Sequence, residues 1–371
     1  MKRFVWWLPV VALSAFLLLE VAVRQALLLL IGVGLGVVLA QARFGFTTGW
    51  RLLLERRDPQ GVAAQLLLLG LASAAAMPLL ASFGELHAAL GAPGLAMLLG
   101  AFVFGLAMQL ADGCGSGTLY KAGLGISYNL LVFPLFAVGS FVGSLHLPFW
   151  NGWGQIQAVG LVDEFGVLGA LLLTGVGLLL MALGVRYWVG PGKVWWHRRW
   201  VWGAVGLAFF ATLNLLVAGQ PWGVVYGFGL WTGKVFAGLG LWDPSTSVFW
   251  SQPAHAQRLN ETAFLDVTTI TNLGILWGAF WVSLRHRSEA SVKLTARQMW
   301  VGVLAGFVLG YSSRLALGCN VGAMLSGIST GSLHGWLWVP MAFAGSVVGV
   351  RWRRALFESS SDLAMTQGVR S

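Results

Sequence analysis

The sequence predicts an all-α polytopic membrane protein: about ten transmembrane helices plus re-entrant half-helices, arranged as two inverted, pseudo-two-fold repeats. Three observations carry that expectation. First, the 371 residues are 57% hydrophobic and only 10% charged, with mean hydropathy +0.76; soluble domains hold about 25% charged residues. Second, apolar runs recur along the chain at lengths near the roughly 20 residues that a bilayer crossing needs. Third, Gly-rich stretches too short to span lie between those runs, and two of them carry the only two cysteines. So little charge cannot cover a water-exposed surface, which excludes a soluble enzyme. The chain reads as a single integral membrane domain, 1–371, with repeats at about 26–147 and 201–350.

Spans are expected near residues 4–19, 26–40, 62–82, 93–111, 129–147, 165–187, 201–219, 263–284, 300–317 and 335–350. The first follows Met1-Lys2-Arg3 like a signal peptide. No small-x-small cleavage site leads into a soluble chain, so an uncleaved span is expected. The 20 Trp suit interfacial belts. The net charge of +10 points to topology rather than to nucleic acid. Basic residues gather in four segments: Arg43, Arg51, Arg56 and Arg57; Lys193, Arg198 and Arg199; Arg285, Arg287, Lys293 and Arg297; Arg351, Arg353 and Arg354. Ten spans put all four on one side. The alternating segments, 83–92 and 148–164, carry Glu85, Asp163 and Glu164 instead. The positive-inside rule makes the basic side cytoplasmic and places both termini there.

Residues 112–126, 221–241 and 318–334 are Gly-rich and interrupted, and 44–54 is a fourth stretch of this kind. Non-helical backbone survives at membrane depth only inside protein or along a wet cavity, so these read as half-helices. Aligning Cys114 with Cys319 brings Leu110, Ala111, Gly113 and Gly117 onto Leu315, Ala316, Gly318 and Gly322. Each repeat then holds four spans, with half-helices after the first and third. Charge placement sends the Cys114 loop in from the cytoplasm and the Cys319 loop in from outside. Inverted repeats whose broken helices meet at the midplane mark transporter binding sites.

Cys114 and Cys319 each follow a glycine at the expected start of a half-helix, where free N–H groups favour anions. Read singly, each is a small buried hydrophobe; as a symmetric pair in broken helices they read as a site. Gly113, Gly115, Gly117, Gly318 and Gly322 either let backbone amides approach a ligand or pack helices. Lys121 and Lys234 lie in apolar half-helices, where they either balance an anion or snorkel to an interface. Asp112 and Arg314, just before the cysteines, pair, line a vestibule or anchor span ends. His334 reads as structural. No Cys/His spacing fits a metal site, and no Walker A, Rossmann or Gly-x-Ser-x-Gly motif is present, so neither cofactor nor ATP hydrolysis is expected.

Three stretches carry a resemblance: Gly113-Cys114-Gly115-Ser116-Gly117-Thr118-Leu119-Tyr120-Lys121-Ala122-Gly123; Pro221-Trp222-Gly223 with Trp231-Thr232-Gly233-Lys234; and Arg314-Leu315-Ala316-Leu317-Gly318-Cys319-Asn320-Val321-Gly322-Ala323 running on to Gly331-Ser332-Leu333-His334-Gly335-Trp336. At these motifs the sequence resembles the YeeE/YedE family of sulfur-compound membrane transporters, whose characterised activity is thiosulfate uptake. The resemblance implies a non-enzymatic protein of the bacterial inner membrane with an hourglass of inverted halves. It implies that Cys114 and Cys319, with Asn320 beside the second, pass thiosulfate inward through S–H contacts. It also implies a small cytoplasmic sulfur carrier of the TusA type as partner, and some members are associated with selenium compounds. The family has a further cysteine at its first half-helix, where this chain has Gly45. A neutral thiol suits thiosulfate, because it can donate S–H to a soft terminal sulfur that sulfate lacks. A dry constriction disfavours the thiolate, which would repel the anion. The readings held against this one are a thiol–disulfide redox carrier joining Cys114 to Cys319, and a passive channel for small anions.

Overall fold

The computed structural model describes residues 8–285 and 293–357. The start of the first expected span, Arg287 and the chain beyond Phe357 lie outside them. Among the described residues the fold is all-helical, with two isolated β-bridges, Gly94–Gln155 and Gly160–Ser332. Eight helical stretches among the described residues are long and apolar enough to cross a membrane, against the ten expected. At the other two expected positions the described helices are Leu8–Val21 and Val267–Ser283. The first ends where Ala22 turns extended (φ −170°, ψ 149°). The second begins only at Val267, because the Asp266 side chain accepts from Thr269 N and caps the helix there.

In chain order, α1 (Leu8–Phe16) leads through a π-helical turn to α2 (Val23–Ala42), and short α3 (Phe46–Arg56) precedes α4 (Gln60–Ser82). Long α5 (Leu95–Leu110) is followed by short α6 (Gly115–Gly123) and then α7 (Ser127–Asn151). Next come α8 (Leu161–Val189), α9 (Arg198–Ala218), α10 (Val225–Gly238) and a small outlying helix, α11 (Pro253–Asn260). Then α12 (Val267–Ser283) and α13 (Ala296–Leu315) lead to a π-helical turn (Asn320–Ser326), α14 (Gly327–Ser329) and α15 (Leu333–Phe357). The expected broken stretches thus coincide with α3, α6, α10 and the π-turn with α14.

The most extensive helix contacts are α7 with α13, α2 with α12 and α5 with α15. Further contacts join α4 to α9, α10 to α7, α3 to α15, α6 to α12 and α14 to α4. At the three large interfaces glycines face backbone. A Cβ on Gly32, Gly36 or Gly278 would strike the facing carbonyl across α2–α12; so would one on Gly139 or Gly310 across α7–α13, and on Gly105 or Gly345 across α5–α15. Gly32 and Gly36, Gly139 and Gly143, and Gly345 and Gly349 are each four apart. That is the small-x-x-x-small spacing that lets membrane helices touch along one face. α8 stands apart: 11% of its apolar window is buried, so it packs on the bundle's flank.

The four basic segments gather at one end. Arg199 Nε donates to Gln41 O at 2.8 Å, Arg354 lies 3.4 Å from Glu55, and Arg297 Nη2 donates to Ala355 O at 3.0 Å. The less basic segments meet at the other end, where His87 N donates to Gly219 O and Leu161 N to Gly331 O. The tryptophans divide between the interior and the periphery. Trp222, Trp250 and Trp338 are fully buried, and Trp250 Nε1 is satisfied by Ser144 Oγ at 2.8 Å, so interfacial belts do not account for all of them.

Replacing Gly105 with Ala should force α5 from α15 and cost about 1–3 kcal/mol. Gly175→Ala, on α8 with nothing within 4 Å, should be silent. Thermal unfolding of the two variants in detergent checks the contrast; equal melting temperatures would exclude the close contact.

Candidate functional site

The two cysteine turns are built alike. Asp112 (φ 53°) and Leu317 (φ 60°) take left-handed backbone, and two residues later Cys114 (φ −85°, ψ −166°) and Cys319 (φ −100°, ψ −170°) become N-caps. Gly113 N donates to Met108 O at 3.1 Å, and Gly318 N to Ser313 O at 2.9 Å. Thr118 N reaches Cys114 O, and Ala323 N reaches Cys319 O, both at 2.8 Å. The glycines between are required by crowding: a Cβ on Gly113 would lie 2.8 Å from Thr118 N, and one on Gly318 would lie 2.8 Å from Ala323 N. The turn into α3 repeats the pattern. Arg43 is left-handed (φ 47°), Phe44 N donates to Leu39 O, and Gly49 N donates to Gly45 O. Gly45 therefore occupies the N-cap position that cysteine holds in the other two turns.

None of these N-caps, nor Val224 before α10, contributes a side-chain capping bond. Three of the four helix starts meet. A Cβ on Gly115 would lie 2.8 Å from Cys319 Sγ and 3.1 Å from Val225. The backbone amides of Gly115 and Ser116, and of Val321 and Gly322, face the Cys319 sulfur. Cys114 Sγ lies 3.6 Å from Ser116 Oγ, and a Cβ on Gly117 would lie 3.5 Å from it. Both cysteines are free thiols, and both are buried. Asn320 is fully buried directly after Cys319, and neither end of its amide has a hydrogen-bond partner. Buried polar atoms are nearly always paired, and both of these are not. Cys114, Cys319, Gly115 and Asn320 are thus brought to one place.

The two lysines are held by other groups. Lys121 Nζ is 2.7 Å from Asp112 Oδ2 and also donates to Asp112 O. Arg51 (2.6 Å) and Arg353 (3.4 Å) bind the same carboxylate. Asp112 thus ties α3, α6 and α15 together at the basic end, with three cations around one anion. Lys234 Nζ donates to Leu259 O and Glu261 O, closing the C-terminal end of α11. Asp112 and Arg314 do not pair. Arg314 lies against α10, with Nε on Ser140 Oγ (2.9 Å) and Nη2 on Tyr226 O (3.4 Å). His334 Nδ1 is 2.7 Å from Ser332 Oγ, a local structural bond. Among the described residues no cluster of His, Cys, Asp or Glu could hold a metal ion.

Sequence reasoning did not find Arg51 and Arg353 as partners of Asp112, nor Tyr226, Phe249, His255 and Arg258 beside Arg314. They converge from separate segments and carry no motif. His255 bonds Tyr226 Oη at 2.9 Å. Burial, with Arg314 and then Arg258 nearby, holds its pKa down to about 4, so the ring is neutral at pH 7. Asp112→Asn should leave three cations facing one another and cost on the order of 3 kcal/mol. The double variant Asp112→Asn, Lys121→Met should recover part of that loss. Urea or thermal unfolding measures both, and a neutral Asp112→Asn would exclude the tie.

The chain is 23% identical over 329 residues to "Thiosulfate transporter TsuA" of Escherichia coli (strain K12), covering 83% of this chain and 89% of that protein. It is 26% identical over 253 residues to "Thiosulfate transporter TsuA" of Spirochaeta thermophila, covering 65% and 72%. It is 23% identical over 168 residues to "Probable transporter YedE" of Salmonella typhimurium, covering 42% and 40%. The match to the family described as Sulphur transport takes in residues 41–348, most of the chain, and so the chain belongs to that family of multi-pass membrane transporters.

Proposed function

We propose that this protein takes up thiosulfate across a bacterial inner membrane. The route passes through a constriction formed by Cys114, Cys319, Asn320 and the backbone of Gly113, Gly115, Gly117 and Gly318. The carrying observation is the packing of Cys319 Sγ against Gly115, at the uncapped head of the helix that Cys114 opens. Bringing a dianion to membrane depth requires N–H dipoles to replace its water, and three helix starts aim theirs here. The thiols add what oxygen ligands cannot, an S–H donor for a terminal sulfur. Sulfate has no such atom and is not carried.

The helices form two inverted repeats, α2–α7 and α9–α15. Exchanging α2 with α9, α4 with α12, α5 with α13 and α7 with α15 maps the contact α2–α12 onto α9–α4, and α7–α13 onto α15–α5. The near-identical cysteine turns support the same exchange. The basic end is cytoplasmic by the positive-inside rule, with both termini there. On this reading Cys319 is reached from outside and Cys114 hands the ion inward past Gly45, where no thiol follows. Lys121 sets the charge of the inner end through Asp112, and Lys234 holds the outer segment in place. A TusA-type carrier receives the sulfur at the basic face. Selenium compounds of similar charge are the alternative cargo.

Labelled thiosulfate uptake into cells lacking other sulfur transporters tests this directly. Cys114→Ala and Cys319→Ala should each lose most uptake, and labelled sulfate should not enter the same cells carrying the wild-type protein. Normal uptake by Cys114→Ala would overturn the thiol role. The closeness of the two thiols also favours a second reading, a redox carrier passing electrons through a Cys114–Cys319 disulfide. A non-reducing gel after alkylation separates the two: a reducible crosslink in the working protein supports the redox reading, and two alkylated thiols support transport.

A further inference from the structure

Arg314 carries a charge that its surroundings do not answer. It is only partly exposed, near the end of α13 and five residues before Cys319. Its guanidinium lies across α10 where Gly229 leaves room, since a Cβ there would collide with Nη2. Its hydrogen bonds all go to neutral groups: Nε to Ser140 O and Oγ, and Nη2 to Tyr226 O. No carboxylate pairs with it among the described residues. A second cation shares the place. The Arg258 guanidinium carbon is 5.1 Å from the Tyr226 ring centroid, and that of Arg314 is 5.3 Å from it. Phe249 stands 5.7 Å from Arg314 on another side and stacks on His255 at 4.1 Å. His255 is neutral and adds no charge. Asp266, the acidic side chain acting on Tyr226, is committed to Thr269 N (2.7 Å) and Oγ1 (2.8 Å).

Two arginines held on one ring without a counter-charge are costly unless an anion joins them. We propose that Arg314 and Arg258, braced by Tyr226 and Ser140, form an oxyanion-binding site that an incoming ion occupies before it reaches Cys319. This rests on the thiosulfate reading and deepens it. A guanidinium grips the oxygens of a tetrahedral oxyanion, and it has no means of recognising a terminal sulfur. The outer site therefore accepts sulfate and thiosulfate alike, and selection is made one step further in, at the thiols. Sulfate binds and competes but is not passed on.

The test is the kinetics of labelled thiosulfate uptake, with unlabelled sulfate as competitor. In the wild type, sulfate should raise the apparent KM and leave the maximal rate unchanged. Arg314→Gln should raise KM about tenfold or more, as the loss of charge-assisted bonds implies, and should abolish sulfate competition. Arg314→Lys should restore part of both. Gly229→Ala, which displaces the guanidinium and leaves its charge, and Arg258→Gln should shift KM the same way and cover the case of a misfolded Arg314→Gln. Unchanged KM and unchanged sulfate inhibition in folded Arg314→Gln would overturn the proposal. Sulfate titrated into the purified protein distinguishes the two failures. If wild type carries no thiosulfate, the transport reading fails. The outer site then still stands if sulfate binds wild type and not Arg314→Gln, and falls if both bind alike.

Discussion

A helix that starts inside a membrane protein has amide donors with no partner in its own first turn. Lipid offers none, and an unsatisfied N–H at that depth is expensive. This protein begins four short helices at buried residues, Gly45, Cys114, Val224 and Cys319, and gives none of them a side-chain cap. The rest of the structure follows from having to bury those starts. They are tolerable when packed against one another, as α6 is against Val225 and Cys319. They are useful if a charged ion crosses where the dipoles converge. Asn320, next to Cys319 in the chain, is buried with both amide atoms unpaired.

Bringing the starts together requires close helices, and glycine provides the closeness. Where α2 crosses α12, α7 crosses α13 and α5 crosses α15, backbone meets backbone, and a single methyl would intrude. Those contacts set the distance between the turns that carry the cysteines. The close approach at Gly115 is held by glycines some distance away, in packing that carries no chemistry of its own. Asp112 secures the basic end in another way, with one carboxylate joining α3, α6 and α15.

Much of this could be read from the sequence, and the reasons are specific. Gly-rich stretches flanked by apolar runs have few ways to exist in a membrane, so the positions of α3, α6, α10 and the Cys319 turn were legible. Cys114 and Cys319 share a local pattern because the turn needs it: a left-handed residue, then a glycine too crowded for a side chain, then the cap. The span count was less legible. The span expected at 263–284 begins only at Val267, because Asp266 caps the helix there. The partners of the lysines were not legible either. A charge in an apolar stretch signals a partner without naming it, and the partners, Asp112 and the carbonyls of Leu259 and Glu261, are fixed by tertiary structure. Tyr226, Phe249, His255 and Arg258 had no periodicity or spacing to announce them.

On the transport reading, the positions of charge and thiol divide the work. The uncompensated arginines lie toward the less basic end, by α10 and α11, and the Asp112 cluster lies at the other, with the thiols between. Guanidinium recognises charge and shape at long range and through oxygen. A buried thiol acts only in contact, and discriminates by polarisability. Placing the unselective attraction first and the selective contact second lets a scarce sulfur anion be gathered by charge, at the cost that sulfate is gathered too. If the order were reversed, each ion would have to reach a dry constriction before anything had offset its lost hydration, and the barrier to entry would be that of an unpaired dianion in protein.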